Sequence, residues 1–319
     1  MPLITFAGHT YQASSEKPLL DSLLAYRLPI PHSCQSGFCH SCLMKADKGQ
    51  VPACSQKSLS NEKIRQGYFL ACQCVPEQDI EISLPVRNKI PGIITGKTLL
   101  TSTLVALDIA PRHPFHYEPG QLVTLWAEET LRSVEPGADY SEGLNELARP
   151  CYLASLSGQD ASLTVHIQRR ASRKFSQWAH DCTQIGQKIS IGDVRGANIY
   201  QQLSSSNLIV VQDGCLAPVL PLLRKLCADT TASEKSVTLV LQVDHTDNLY
   251  EQALIHRLVR QSPNLSIQVC GGLQGKKQLE TIMMEPKPVY RQLIIAGDQG
   301  FIKKHTQQVQ MDIQTLPYS

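Results

Sequence analysis

The rhythm of apolar and polar positions changes three times along this chain. Residues 2–12 alternate as a strand does, and "PLLDSLLAYRL" then repeats its leucines at helical spacing, with Pro18 suited to a first helical turn. A short polar helix is expected near "SNEKIRQG" and a period-two strand at "DIEISL". The stretch "PVRNKIPG" (85–92) carries two prolines and a glycine but few bulky apolar side chains, which marks a boundary between units.

From Ile93 to about Tyr200 the pattern is one of short strands split by turn signals: "GKTLLTSTLVALDIA", "GQLVTLWAE", "SLTVHIQ" and "QKISIGD". Many short strands at this spacing predict an antiparallel barrel or sandwich. Within it, "EETLRSVEPGADYSEGLNELARP" is polar and irregular and reads as an inserted loop. From about Ser205 the apolar runs become continuous, in "NLIVVQ", "VTLVLQV", "LSIQVC" and "QLIIAG". Helical stretches "LAPVLPLLRKLCA" and "NLYEQALIHRLVRQ" separate them, and "GKK" at 275–277 reads as a turn into an exposed helix. Alternating buried strands and helices predict a parallel sheet whose ligands sit beyond the C-terminal strand ends.

Composition narrows the function less than pattern does. The 319 residues suffice for two or three domains, and 30 basic against 28 acidic side chains leave a net charge of +2. Nothing in that balance selects nucleic acid as a partner. No apolar run approaches the roughly 18 residues of a membrane span, and the first residues lack a basic then apolar leader, so the expectation is a cytoplasmic protein. The 11 cysteines are odd in number and crowd the first quarter of the chain, which suits a reducing compartment rather than a disulfide framework.

The chemistry concentrates in "CQSGFCHSC" (34–42). Cys34, Cys39 and Cys42 have C-x4-C-x2-C spacing, with Cys72 following in "GYFLACQC". This is the plant-type [2Fe–2S] pattern, in which a tight loop supplies three thiolates and Gly37 lets it turn closely. Zinc is the alternative, although zinc sites favour paired C-x2-C units and only one precedes Cys72. Cys74 is a rival fourth ligand to Cys72.

Residues 1 to about 85 resemble a plant-type ferredoxin of the β-grasp kind, which implies Cys34, Cys39, Cys42 and Cys72 as cluster ligands. His40 stands where that family often has glycine and is expected to face solvent, the alternative being a hydrogen bond that alters the cluster's potential. Seven basic and seven acidic side chains make this module neutral, as suits an electron partner attached covalently rather than steered from afar. The remainder resembles the ferredoxin–NAD(P) reductase family, in the order of oxygenase reductases such as those serving benzoate dioxygenase or methane monooxygenase. The resemblance rests on "FHYEPGQLVTLW", "ARPCYLASLSG" and "DGCLAPVLPLL". It implies a multidomain α+β, β-barrel and α/β chain: a ferredoxin at 1–86, an FAD-binding-like barrel at 93–202, and a Rossmann-like NAD(P)-binding-type domain at 205–319.

The departures from the reductase pattern bear on cofactors. The flavin signature R-P-Y-S-x-x-S stands as Arg149, Pro150, Cys151, Tyr152, Leu153, Ala154 and Ser155, so the resemblance implies FAD contacts at Arg149, Cys151, Tyr152 and Ser155. A second signature, G-x-x-S, runs from Arg173 to Ser176 with its glycine replaced. Since consecutive strand residues face opposite ways, Tyr152 does not inherit the stacking role of position 151 without a bulge. The nucleotide turn survives as Gly214, Ala217 and Pro218, but Asp213 brings a carboxylate to a phosphate site and weakens the case for NAD(P)H. Asp298 does the same near the nicotinamide position. The segment beyond it lacks a clear last strand and terminal aromatic, unless Tyr318 serves.

Two functions follow from these expectations. One is an iron–sulfur and flavin oxidoreductase that passes electrons to a protein acceptor such as an oxygenase component. The other is an electron-transfer or assembly subunit whose reductase-like domains are a docking scaffold. A redox sensor using Cys54 or Cys74 is a third, and would need exposed, low-pKa thiols.

Overall fold

The alternation over residues 2–12 becomes two strands in the computed structural model, rather than the single strand its pattern suggests. β1 (Leu3–Phe6) and β2 (His9–Gln12) pair antiparallel with Phe6 opposite His9. Ala7 and Gly8 turn the chain with φ of 51° and 80°, the left-handed pair that a two-residue hairpin requires. The structure describes residues 1–28, 30–32, 35, 37, 40–85, 89–127, 148–171, 174–229, 234–245, 248–284, 290–306 and 312–318.

The first sheet has the order β2-β1-β5-β3-β4, with β3 at Leu43–Lys48, β4 at Tyr68–Leu70 and β5 at Ile80–Ser83. Helix α1 (Leu19–Ala25) follows Pro18, which is its N-cap rather than a residue of its first turn, and lays Leu19, Leu20 and Leu23 into the core. Ser60 caps the short α2 (Asn61–Arg65) by accepting from the Lys63 N–H.

A six-stranded antiparallel sheet follows, in the order β10-β7-β6-β11-β8-β9. Its strands are β6 (Lys89–Thr101), β7 (Leu104–Pro111), β8 (Leu122–Ala127), β9 (Ala148–Tyr152), β10 (Leu163–Gln168) and β11 (Lys188–Gly192). A bridge from Leu153 to Val165 joins the two outer strands and closes the barrel. β6 begins inside the stretch expected to separate units. Pro91 lies within β6 and keeps an acceptor in the sheet, its carbonyl accepting from the Arg112 N–H at 2.8 Å. The expected inserted loop, 128–147, lies outside the described residues. A four-residue helix, α3 (Lys174–Gln177), packs Phe175 into the barrel core.

The last sheet is parallel, β14-β13-β12-β15-β16. It comprises β12 (Ser206–Gln212), β13 (Ser236–Val243), β14 (Leu265–Gly271), β15 (Gln292–Asp298) and β16 (Asp312–Tyr318). α4 (Leu220–Ala228) and α5 (Gln252–Gln261) cover one face with Ile209 and Val211. α6 (Gly272–Met284) and α7 (Gln299–Thr306) cover the other, with Leu208 and Val210. The expectation that the last strand is missing is corrected by β16, which pairs Asp298 with Tyr318. As an edge strand it needs no continuous apolar run and tolerates Pro317. Among the described residues no helix is long and apolar enough to cross a membrane.

Two ion pairs tie the barrel to the parallel-sheet unit. Arg224 of α4 grips Asp160 with two bonds of 2.5 and 2.7 Å, and Lys225 donates to Glu118 at 2.5 Å.

Candidate functional site

The first site grows from the β3–β4 pairing. Leu43 opposes Leu70, so the residues just outside that pair, Cys42 and Ala71, also meet. The Ala71 N–H donates to the Cys42 carbonyl at 3.1 Å, and the Cys72 N–H points at Cys42 Sγ at 3.5 Å. Both cysteines are buried, at 3% and 5% exposure. Cys34 and Cys39 lie outside the described residues, and among the described residues no three ligating side chains form a group. The loop's geometry still fits an anionic centre. Gln35, Gly37 and His40 have φ of 52°, 79° and 53°, the left-handed backbone found where a loop builds an anion-binding concavity. A Cβ on Gly37 would stand 2.9 Å from Gln73 Cγ at a φ of 79°, so a side chain there would be strained and would push the Gln73 side chain aside. The Gln73 amide also donates toward Cys72 Sγ at 3.6 Å.

His40 is not solvent-facing as expected but 6% exposed. Burial, with Lys63 and Arg195 nearby, pushes its pKa down to about 4, so the ring is neutral. Ser58 gives its one hydroxyl proton to the Gly37 carbonyl at 2.7 Å and therefore accepts from His40 Nε2–H at 3.0 Å. That assigns the tautomer. Cys74 is fully buried with its carbonyl accepting from the Leu19 N–H, while Cys54 is exposed.

The second site lies between the barrel and the parallel sheet. Arg149, Cys151, Tyr152, His166, Arg170 and Tyr318 line a cleft of about 40 Å³, room for roughly three waters. β9 runs without a bulge, so Cys151 enters the barrel core and Tyr152 faces the sheet unit. There Tyr152 stacks on Tyr318, with centroids 5.3 Å apart and planes 30° apart. A planar guest between two rings needs them roughly 7 Å apart, so this pair forms a wall and not a slot. Two buried polar atoms in the cleft, Nδ1 of His166 and Oη of Tyr318, have no partner among the described residues. With Arg149 and Arg170 beside them, these atoms fit a bound, hydrogen-bonding anionic group.

Two other expected flavin residues make hydrogen bonds within the chain. Ser155 Oγ sits 2.7 Å from Tyr117 Oη and accepts from the Thr164 N–H. Ser176 bonds both backbone groups of Arg170, at 3.0 and 3.1 Å. Arg173 lies outside the described residues.

The third site is the turn before α4. Gly214 keeps its left-handed φ of 76°, and Ala217 and Pro218 lead into the helix. The Leu216 N–H, one of the donors that would face a phosphate here, instead donates to Tyr250 Oη at 3.0 Å. The Cys215 N–H goes to the Gln212 carbonyl at 3.0 Å. Asp213 is half-buried and accepts from Asn248 at 2.5 Å, and burial raises its pKa. Only about 20 Å³ remains beside these groups. Asp298, expected to crowd a nicotinamide, instead caps α7: it accepts from the Phe301 N–H at 2.8 Å and from Gln212 at 3.0 Å.

On the opposite sheet face, a crevice of about 310 Å³ opens between α6 and α7. It lies where strand order reverses between β12 and β15, the usual ligand position in such sheets. Gln242, 4% exposed, has no partner for Nε2 among the described residues, and Lys276 and Lys304 stand at the rim. Sequence reasoning missed His166, Tyr250 and Arg195. Each looks like an ordinary strand or loop residue until long-range packing brings it to a site.

A family model for the 2Fe-2S iron-sulfur cluster binding domain matches residues 4–77. Ferredoxin-2 of Synechococcus sp. is 33% identical over 90 residues, 28% of this chain and 86% of that protein. The reductase component of the naphthalene 1,2-dioxygenase/salicylate 5-hydroxylase systems of Ralstonia sp. is 24% identical over 266 residues, 81% of this chain and 75% of that one. Among solved structures, a cytochrome P450 reductase of Amycolatopsis superposes with a TM-score of 0.61 at 17% identity, over 99% of this chain and 98% of that one.

Proposed function

We propose that this chain, whose residues 4–77 match the model of the 2Fe-2S iron-sulfur cluster binding domain, is an oxidoreductase passing electrons through a [2Fe–2S] cluster to an oxygenase component. The observation that carries this reading is the Cys42–Cys72 contact, a buried sulfur pair with a backbone N–H aimed at one of them. Cys34, Cys39, Cys42 and Cys72 are the ligands. The N–H of Cys72 and the amide of Gln73 stabilise thiolate charge.

Arg149 and Arg170 would hold the phosphates of FAD, and the Tyr152–Tyr318 pair would give its ring an aromatic wall. When bound, the flavin takes electrons in pairs and the cluster carries them singly. His166 is neutral because burial pushes its pKa down to about 4, so its unpartnered Nδ1 offers an acceptor, or a donor in the other tautomer, without adding charge. The free thiols throughout the described residues suit the cytoplasm.

A second reading is favoured by the third site. With the Leu216 N–H given to Tyr250 and Asp213 fixed by Asn248, the nucleotide turn is filled by its own chain. In that reading the reductase-like units are a docking scaffold, and electrons arrive from another protein. Anaerobic titration separates the two. Bleaching of bound flavin by NADH or NADPH, followed by cluster reduction, supports the first; a full cluster indifferent to both nucleotides supports the second.

A further inference from the structure

The barrel reaches into the cysteine loop through one side chain. Arg195 follows β11, and its backbone is locked to Leu122 by reciprocal bonds of 2.9 Å each. Leu122 stands opposite Tyr152, so this anchor is one residue pair from the aromatic wall of the second site. From there Nη1 of Arg195 donates to the carbonyl oxygen of His40 at 3.2 Å. That oxygen also accepts the Leu43 N–H at 3.2 Å, so the bond closes on the segment that carries Cys42.

We propose that Arg195 is a positioning residue that sets the reduction potential of the cluster from the neighbouring barrel. The proposal rests on the reading of residues 34–72 as a cluster site.

Two physical effects combine. Reduction adds one negative charge to the cluster, and a guanidinium stays cationic at every working pH. Arg195 is only 9% exposed, so solvent screens its field poorly and the reduced state gains. Lys63 and Asp193 share the surrounding cavity of about 140 Å³. Asp193 is exposed and therefore better screened than Arg195, while Lys63 is half-buried. The second effect is mechanical. His40 holds a left-handed φ of 53°, a conformation strained for a non-glycine residue that persists where surrounding bonds over-determine it. Arg195 supplies one of those bonds from a different domain.

The test is spectroelectrochemical titration of the whole, anaerobically purified chain beside R195Q and R195K. In R195Q the ratio of reduced to oxidised cluster at a fixed potential should fall about tenfold, which is 59 mV for one electron. R195K keeps the cation and should recover most of that loss, which a role in packing alone would not predict. Iron content is measured for each protein. A cluster lost from R195Q but kept near its native potential in R195K also supports the proposal. A native potential in R195Q, or loss of the cluster from both variants, overturns it. A metal-free unaltered chain would instead overturn the cluster reading on which the proposal stands.

Discussion

Two turns in this molecule are shaped to receive an anionic cofactor, and they treat their backbone donors in opposite ways. At the first, Gln35, Gly37 and His40 are left-handed, and the Cys72 N–H points at a cysteine sulfur. At 213–218 the glycine turn persists, but the N–H of Leu216 is taken by Tyr250 and that of Cys215 by Gln212. The contrast teaches that a turn can keep its shape while internal groups satisfy the backbone donors that would otherwise face a ligand. A buried N–H must be paired with something, and a tyrosine hydroxyl meets the requirement as well as a phosphate.

The largest effect that would break this comparison is at Cys72. Cys72→Ser should remove nearly all of the cluster's visible absorption, whereas Cys74→Ser should keep it. The reverse outcome would move the fourth ligand to Cys74 and undo the geometry of the first turn.

The next effect sharpens the other half. Tyr250→Phe frees the Leu216 N–H, and in combination with Asp213→Asn should tighten NADH or NADPH binding about tenfold, near the 1–1.5 kcal/mol of one hydrogen bond. Calorimetric titration reads it directly. Unchanged affinity would mean that the occupied donors do not limit nucleotide binding at this turn.

A smaller effect concerns how firmly the reductase-like units are held together. Burial raises the pKa of Asp160, but the Arg224 guanidinium and the Leu156 N–H outweigh it and leave it net depressed. A depressed carboxylate contributes stability that is present above its ordinary pKa of 3.8 and is lost as pH falls through the lower folded value. Asp160→Asn should therefore lower the urea midpoint at pH 7, with a loss of about 1 kcal/mol for a half-exposed pair. The gap from wild type should close on acidification past that range. A gap independent of pH would show that Asp160 acts by packing alone.

The smallest expected effect is at exposed Cys54. Cys54→Ser should leave absorption unchanged and stability within about 0.5 kcal/mol. Loss of colour there would add Cys54 to the cluster's surroundings.

Legibility in the sequence followed burial. Strands β12 and β13 are covered on both faces, and their apolar runs stand out. β16 is an edge strand with Leu316 fully buried, and its pattern "DIQTLPY" carries no such run. The hairpin at Ala7–Gly8 hid because a tight turn inside an alternating stretch preserves the alternation. At the sites, Cys42 and Cys72 were readable because metal spacing is a local constraint. The burial of His40, the reach of Arg195 and the intrusion of Tyr250 were not, because each is set by residues 18 or more positions away.

The central claim is that this chain holds an iron–sulfur centre in its N-terminal sheet unit. Iron and acid-labile sulfide counted in anaerobically purified protein, with an electron paramagnetic resonance spectrum after reduction, test it most directly. Two irons and two sulfides per chain are expected, with the signal of a one-electron-reduced [2Fe–2S] pair. A preparation that stays metal-free and colourless after reconstitution with iron and sulfide would contradict it.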